Sequence, residues 1–339
     1  MRIKSDWVIG AMLAVSFYMT FEVTAQTRRS TYVKSRLVLD GSGTPEIRQT
    51  IGAALTAVLQ EANRIKAGWS NNLKNVERHC SPEGFIALKT LVERTGFFSV
   101  IPEYKTNLIE TPQGQYEVRG IKVGVPMGET QGDPTQFLVF TLTKRGDIAN
   151  VQFAIETTHY ERLMEEGRGL NDMIYRKQIL GFLEDYRTAH NLKDIDYLEQ
   201  VYSEEALIIV GRVLKNKKTD GDYLANSLLG ETQVQLIKRS KREYIDSLRQ
   251  AFKRNAFVKV TFDKIEIVRH SRFPDFYGIK VEQQWNSSRY SDHGYLFIMI
   301  DFEKPESPVI HVRAWQPEKF HNGSVVELGY FKILRPRKK

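Results

Sequence analysis

Residues 176–211, RKQILGFLEDYRTAHNLKDIDYLEQVYSEEALIIVG, constrain the fold of this chain more than any other stretch, because they read as long helix, short helix and strand without a break. Ile179, Phe182, Leu183 and Tyr186 recur at i, i+3, i+4 and i+7, the spacing of one helical face, and Glu184, Asp185 and Arg187 fall on the side turned to solvent. Asn191 and Asp194 carry stop and N-cap chemistry, and Ile195, Leu198 and Tyr202 make a short second stripe. Leu207, Ile208, Ile209 and Val210 form a run too apolar and β-branched for anything but a buried strand, which Gly211 closes.

Upstream, a strand-like segment at 36–40 precedes Thr44 and Pro45, a capping hydroxyl followed by the residue best suited to the first helical position. The helix they open carries Ile47, Ile51, Leu55, Val58, Ala62 and Ile65 on one side and runs to about residue 66. Ser81, Pro82 and Glu83 repeat the signal for a helix ending near Gly96. Strands follow at 101–109, 116–125, 137–143 and 151–155, separated by turn residues at 112–114, 126–134 and 145–147. Helices first and an antiparallel meander after them is α+β order.

The second half repeats this plan. Gly120, Ile121, Lys122 and Val123 recur as Gly278, Ile279, Lys280 and Val281, and residues 137–142 match 295–300 at the same offset of 158 positions. Ser81 and Phe85 correspond to Ser240 and Tyr244 at an offset of 159. One unit written twice explains the shared order and spacing; coincidence between two sheets of similar composition is the competing explanation. The first copy is abridged, with no room between its long helix and Ser81 for the short helix and buried strand of 194–211. The expected division is a leader at 1–25, an abridged module at 36–156, a polar linker helix with a break at 157–175, a full module at 176–317 and a basic tail at 318–339. Residues 215–222 read as an exposed hydrophilic insertion.

A chain of 339 residues, 41% hydrophobic and 27% charged, is long and apolar enough for two packed units. The net charge of +8 owes part of its excess to Arg335, Arg337, Lys338 and Lys339, and no dense basic run with interleaved aromatics marks a nucleic-acid interface. Arg2 and Lys4 precede an apolar run at 7–21, and Val23, Thr24 and Ala25 supply the small residues of a cleavage site before Gln26. That run is shorter than the roughly 20 residues that span a bilayer as a helix. Export to the periplasm or beyond is the expectation. Cys80 is the single cysteine, so neither an internal disulfide nor a thiolate metal site is available.

Phe182, Tyr186, Asp194, Leu198, the segment 202–206 and residues 208–211, followed by a third helix with Tyr244, Ile245, Leu248 and Phe252 inward and then a sheet, resemble the nuclear transport factor 2-like superfamily. This is the cone fold shared with ketosteroid isomerase-like and polyketide cyclase-like (SnoaL-like) proteins. The resemblance covers 175–317 directly and 44–156 by way of the repeat. It implies an α+β protein of two tandem cone-fold modules. Glu205 stands where many members carry an aspartate before the first strand, so no catalytic role is carried over to it. Residues 284–295 and 310–317 also look like exported bacterial members of the superfamily, a resemblance that implies a fold more strongly than an activity; the leading expectation is a non-catalytic binding or scaffold protein of the envelope whose partner is a small ligand or another envelope protein. An isomerase or cyclase using the second module's cavity is the alternative. Cones of this type pair sheet to sheet, so self-association through the sheet faces is a further expectation.

Alternation on the last strand sets His311, Arg313 and Trp315 on one face and Ile310, Val312 and Ala314 on the other. Trp285 shares the alternation of Ile279, Val281 and Gln283. With Tyr290 these residues, Trp285, His311, Arg313 and Trp315, form the candidate ligand-binding set, an imidazole and a guanidinium aimed at an acidic or carbonyl-bearing ligand. The competing reading is an outer sheet face on which Arg313 pairs locally. Asp292 and His293, beside Tyr290, are with His311 the candidate proton carriers. In an extended segment Asp292 and His293 point apart, which favours a turn-forming aspartate and a solvent histidine. No GxGxxG, GxxxxGK[ST] or GxSxG motif occurs, and the seven histidines lack HExxH spacing, so neither cofactor nor metal is expected.

Overall fold

Both hydroxyl-proline signals open helices. Thr44 is extended (φ −75°, ψ 159°) and its side chain accepts from the Ile47 N–H at the start of α1 (Pro45–Lys66). Ser81 does the same for Gly84 at the start of α3 (Pro82–Thr95), and a single turn, α2 (Lys74–Glu77), lies between. In this computed structural model the described residues are 32–127, 134–167, 170–214, 233–304, 307–320, 322–331 and 333. The expected leader, the insertion at 215–222 and the four terminal basic residues lie outside them.

The first module is completed by β1 (Arg36–Gly41), β2 (Phe98–Ser99), β3 (Glu103–Glu110), β4 (Tyr116–Gly124), β5 (Thr135–Leu142) and β6 (Ile148–Phe153). Its sheet runs β1-β3-β4-β5-β6 with β2 paired to β4, and only β1 and β3 are parallel. Leu55, Leu59, Leu88, Leu91, Phe140 and Phe153 belong to one buried core formed by the helices and this sheet. The second module contains α4 (Thr157–Glu165), α5 (Leu170–Leu192), α6 (Ile195–Gln200), β7 (Tyr202–Leu214), β8 (Gln233–Arg239), α7 (Lys241–Arg254), β9 (Val258–Arg269), β10 (Phe276–Ser287), β11 (Ser291–Asp301) and β12 (Val309–Gln316). Asp194 caps α6, and Ser240 and Glu243 form a reciprocal capping box on α7. The sheet order is β8-β7-β12-β11-β10-β9, with β7 returning parallel beside β12. Each module is thus α+β, helices on a six-stranded sheet, as the sequence implies. Among the described residues no helix is long and apolar enough to cross a membrane.

The sequence matches fall on equivalent elements: Gly120 and Gly278 on β4 and β10, residues 137–142 and 295–300 on β5 and β11, Ser81 and Ser240 at the N-caps of α3 and α7. The abridgement is smaller than expected for the helix and close to expectation for the strand. The short helix survives as α2. The buried strand is reduced to one parallel bridge, Cys80 to Ile148, in the place β7 holds beside β12. With so little between them, α3 lies directly on β6, and a Cβ at Gly84 would come within 1.9 Å of the Ile148 carbonyl oxygen.

Two expected boundaries are corrected by packing. Residues 157–175 are not a linker: α4 and the first turns of α5 occupy them, and Tyr160 and Leu163 are buried in the second module's core. Of the expected tail, the described residues 318–320, 322–331 and 333 are not a solvated end but form a strap. Phe276, Phe297, Met299 and Val312 give the outer sheet face an apolar surface, which Val326, Phe320, Leu328, Phe331 and Ile333 cover. Gln316, 1% exposed, pins the strap by donating to Glu318 O at 2.7 Å and accepting from the Val326 N–H at 2.8 Å.

The polar side of α5 is a third correction. Glu184 and Arg187 are 2% and 6% exposed, because that side faces the first module rather than solvent. Thr188 accepts from the Phe153 N–H at 2.9 Å and Glu184 from the Ile155 N–H at 2.8 Å. Arg187 donates to Val260 O at 2.9 Å, and Asn191 accepts from the Val260 N–H at 2.6 Å. β6 and β9 are the edge strands of the two sheets, so one helix satisfies backbone groups on both edges. α1 does the same for β1, where Thr56 accepts from the Leu37 N–H at 2.9 Å and Gln60 donates to Ser35 O at 2.8 Å. Arg119 on β4 pairs with Glu184, and Lys177 on α5 pairs with Glu117. A polar stripe on a helix announces polar surroundings, and a strand edge is as polar as water.

Candidate functional site

Five elements of the second module send side chains into its interior. α5 contributes Tyr186 and His190, one turn apart; β7 begins with Tyr202; α7 adds Tyr244 and Phe252; β10 brings Trp285 and β12 brings Arg313 and Trp315. The Tyr186 and Tyr202 hydroxyls are 2.6 Å apart. Arg313, 7% exposed, directs Nε toward the Tyr186 hydroxyl at 3.4 Å and lays its guanidinium over the Tyr244 ring at 4.8 Å. Phe252 stacks on Trp285 with centroids 6.4 Å apart, and His190 meets the same indole edge-on at 6.1 Å. No carboxylate of the described residues pairs with Arg313.

Burial raises the Tyr186 and Tyr202 phenols above their ordinary range, so both stay neutral donors. Burial works against the Arg313 charge, but the three tyrosines around it hold its pKa above the usual value. His190 is pulled down to about 3 by burial, against the pull of its bond to the Tyr186 carbonyl, and by Arg313. That carbonyl, 2.7 Å from Nδ1, only accepts, so Nδ1 carries the proton and Nε2 is left as an acceptor. The set is a fixed cation with neutral donors in an aromatic enclosure, suited to hold an anionic or carbonyl oxygen. His190 is too weak a base to take a proton at neutral pH. Among the described residues no group of three His, Cys, Asp or Glu side chains is placed to hold a metal ion.

Trp285 and Arg313 belong to this set, and Trp315 is partly buried against the same core, beside Gly294. His311 does not belong to it. A register shift between Ile310 and Val312 places Ile310 in the inner core and His311 on the outer face, its ring 5.4 Å from Phe276 and its Nε2 3.6 Å from Asp301. Tyr290 is 56% exposed at the β10–β11 turn and donates to Asp292, which stands opposite Trp285 in the strand register. His293 instead stands 3.7 Å from Glu282, so Asp292 and His293 have separate partners. His190 escaped the sequence reading, although Phe182, Tyr186 and His190 step along α5 at i, i+4, i+8.

Asp185, beside this set on α5, has its pKa raised to about 7 by burial and by Glu184. The folded state therefore binds its proton more tightly than the unfolded chain, and this contribution is present below the ordinary aspartate pKa and lost as pH rises toward 7. His190 acts oppositely: the fold favours its neutral form, so stability falls as pH drops through the ordinary histidine range toward 3. Asp185→Asn is expected to raise the melting midpoint at pH 8 and to leave it unchanged at pH 4. Melts at both pH values check this, and an equal change at both would contradict it.

No family model matches the chain, and no curated protein does. Among solved structures it is similar to Bd1075 of Bdellovibrio bacteriovorus at 14% identity, over 63% of this chain and 82% of that one, with a TM-score of 0.32. An NTF-2-like protein of unknown function from Shewanella oneidensis matches at 15% identity over 41% and 97%, TM-score 0.29. Kfla4162 from Kribbella flavida matches at 12% over 42% and 88%, TM-score 0.30. The element order decides the architecture: helix, helix, an antiparallel strand pair, helix, then a meander whose last strand returns parallel to the first strand of that pair. The fold is nuclear transport factor 2-like. In this nuclear transport factor 2-like chain the interior of the second cone is occupied by its own aromatic side chains, packed around one guanidinium.

Proposed function

We propose that this protein is an exported binding protein of the bacterial envelope whose second module holds a small apolar molecule bearing a carboxylate, without transforming it. Arg313 carries this reading. Among the described residues its side chain makes one hydrogen bond, from Nε to the Tyr186 hydroxyl, and no carboxylate pairs with it, although the residue is 7% exposed. The tyrosines hold this cation without neutralising it, and a carboxylate placed bidentately on its two terminal nitrogens would supply the missing opposite charge. The tyrosine hydroxyls add donors, and Trp285, Phe252 and Trp315 suit an aromatic or aliphatic body. The leader at 1–25 supports export. The isomerase or cyclase alternative draws on His311 or Asp292 as proton carrier; His311 lies on the other face of the sheet and Asp292 is bonded to Tyr290.

Melting the chain 26–339 with benzoate and phenylacetate against the matching alcohols tests the proposal. Acids are expected to raise the midpoint and alcohols not. Arg313→Met replaces a buried charge with an apolar chain of similar volume, so it is expected to melt at or above the parent temperature and to lose the response to acids. A variant that melts several degrees lower, beside a parent indifferent to every acid, would make Arg313 a structural residue and sink the proposal.

A further inference from the structure

A second cavity lies on the opposite side of the same sheet, where the strap crosses the ends of β9 and β10. It encloses about 750 Å³ between the β9–β10 turn and residues 327–333. Its floor is apolar: Phe297 stacks on Phe331 with centroids 5.4 Å apart, and Phe273, Leu328 and Val268 extend the surface. Gly278 keeps the groove shallow enough for the strap, since a Cβ there would lie 3.0 Å from Leu328 Cβ. The rim is cationic. Arg269 is committed to the Tyr175 and Tyr277 rings and to Pro274 O, and Lys280 pairs with Glu266 at 2.6 Å. Arg272 is exposed and its guanidinium has no hydrogen bond or ion pair among the described residues, while Glu327 is the acidic side chain on the strap side.

We infer that this groove binds a single-chain amphiphile with an anionic head, its hydrocarbon lying on Phe297, Phe331 and Leu328 and its head on Arg272. A volume of several hundred Å³ is the usual size of a small-molecule site, and an apolar floor with one uncommitted cation at the rim is the complement of a fatty-acid carboxylate. The site is separate from the interior one and stands or falls independently of it.

Isothermal titration of the chain 26–339 with sodium dodecanoate below its micelle concentration tests this, with dodecanol and dodecyltrimethylammonium as controls. One molecule of dodecanoate is expected to bind, with dodecanol about tenfold weaker or more and the cation not at all. Arg272→Glu, at an exposed position, is expected to weaken dodecanoate by a similar factor with an unchanged melting midpoint. Val268→Trp, at a position 47% exposed, is expected to fill the groove and abolish binding. Arg313→Met is expected to bind dodecanoate normally. Absence of saturable binding, binding that survives both groove variants, or loss in Arg313→Met alone overturns the assignment. So does attachment to anionic phosphatidylglycerol vesicles without binding of free dodecanoate.

Discussion

Arg119→Met is expected to lower the free energy of unfolding by about 3–5 kcal/mol, the usual result of removing one partner from a buried ion pair. The Arg119 guanidinium lies 3.7 Å over the Tyr160 ring, and its side chain is 2% exposed between Glu184, also 2% exposed, and Glu117, 9% exposed. Without it Glu117 keeps Lys177, but Glu184 is left with no ion-pair partner among the described residues. Urea denaturation followed by tryptophan fluorescence measures the loss. Adding Glu184→Gln removes one stranded charge and keeps an acceptor for the Ile155 N–H, so the double variant is expected to recover part of the stability. A loss below about 1 kcal/mol, the scale of exposed pairs, would mean that water reaches this contact and that the modules are not closed on each other.

The second large effect is expected from ending the chain at Pro317. The strap covers Phe276, Phe297, Met299 and Val312 with its own apolar side chains, a burial worth on the order of 5 kcal/mol. Its removal leaves a contiguous apolar sheet face, the kind of surface that associates. Sedimentation velocity is expected to show the shortened protein as dimers and larger species at concentrations where the full chain does not associate. Identical sedimentation of the two would mean that the strap is not what keeps this face from other copies. On this face the strap residues occupy the apolar surface that sheet-to-sheet pairing would use.

The sequence carried the elements well where local chemistry decides them. Thr44, Ser81, Asp194 and Ser240 all cap helices, and the 158-residue offset falls on equivalent strands. It failed where the answer depends on a distant neighbour. Glu184 and Arg187 look solvated in a helical projection, and only the arrival of β6 and β9 makes them interior. His311 was misplaced because strict alternation has no way to register a one-residue bulge, which the pairing of β12 with β7 imposes from outside. Arg313 and Trp285 were legible, but the tyrosines around Arg313 looked like ordinary core. The strap read as tail because Phe320, Val326, Leu328 and Phe331 have no regular period; they follow the surface of a sheet instead of building one.

The position of α5 bears on how such a chain can change over time. Because the same two turns of α5 complete the hydrogen bonding of β6 and β9, deleting the second half would leave β6 a raw strand margin, and deleting the first would bare the polar side of α5 that β6 covers. A cut between Glu156 and Thr157 is therefore expected to yield two insoluble pieces rather than two small proteins.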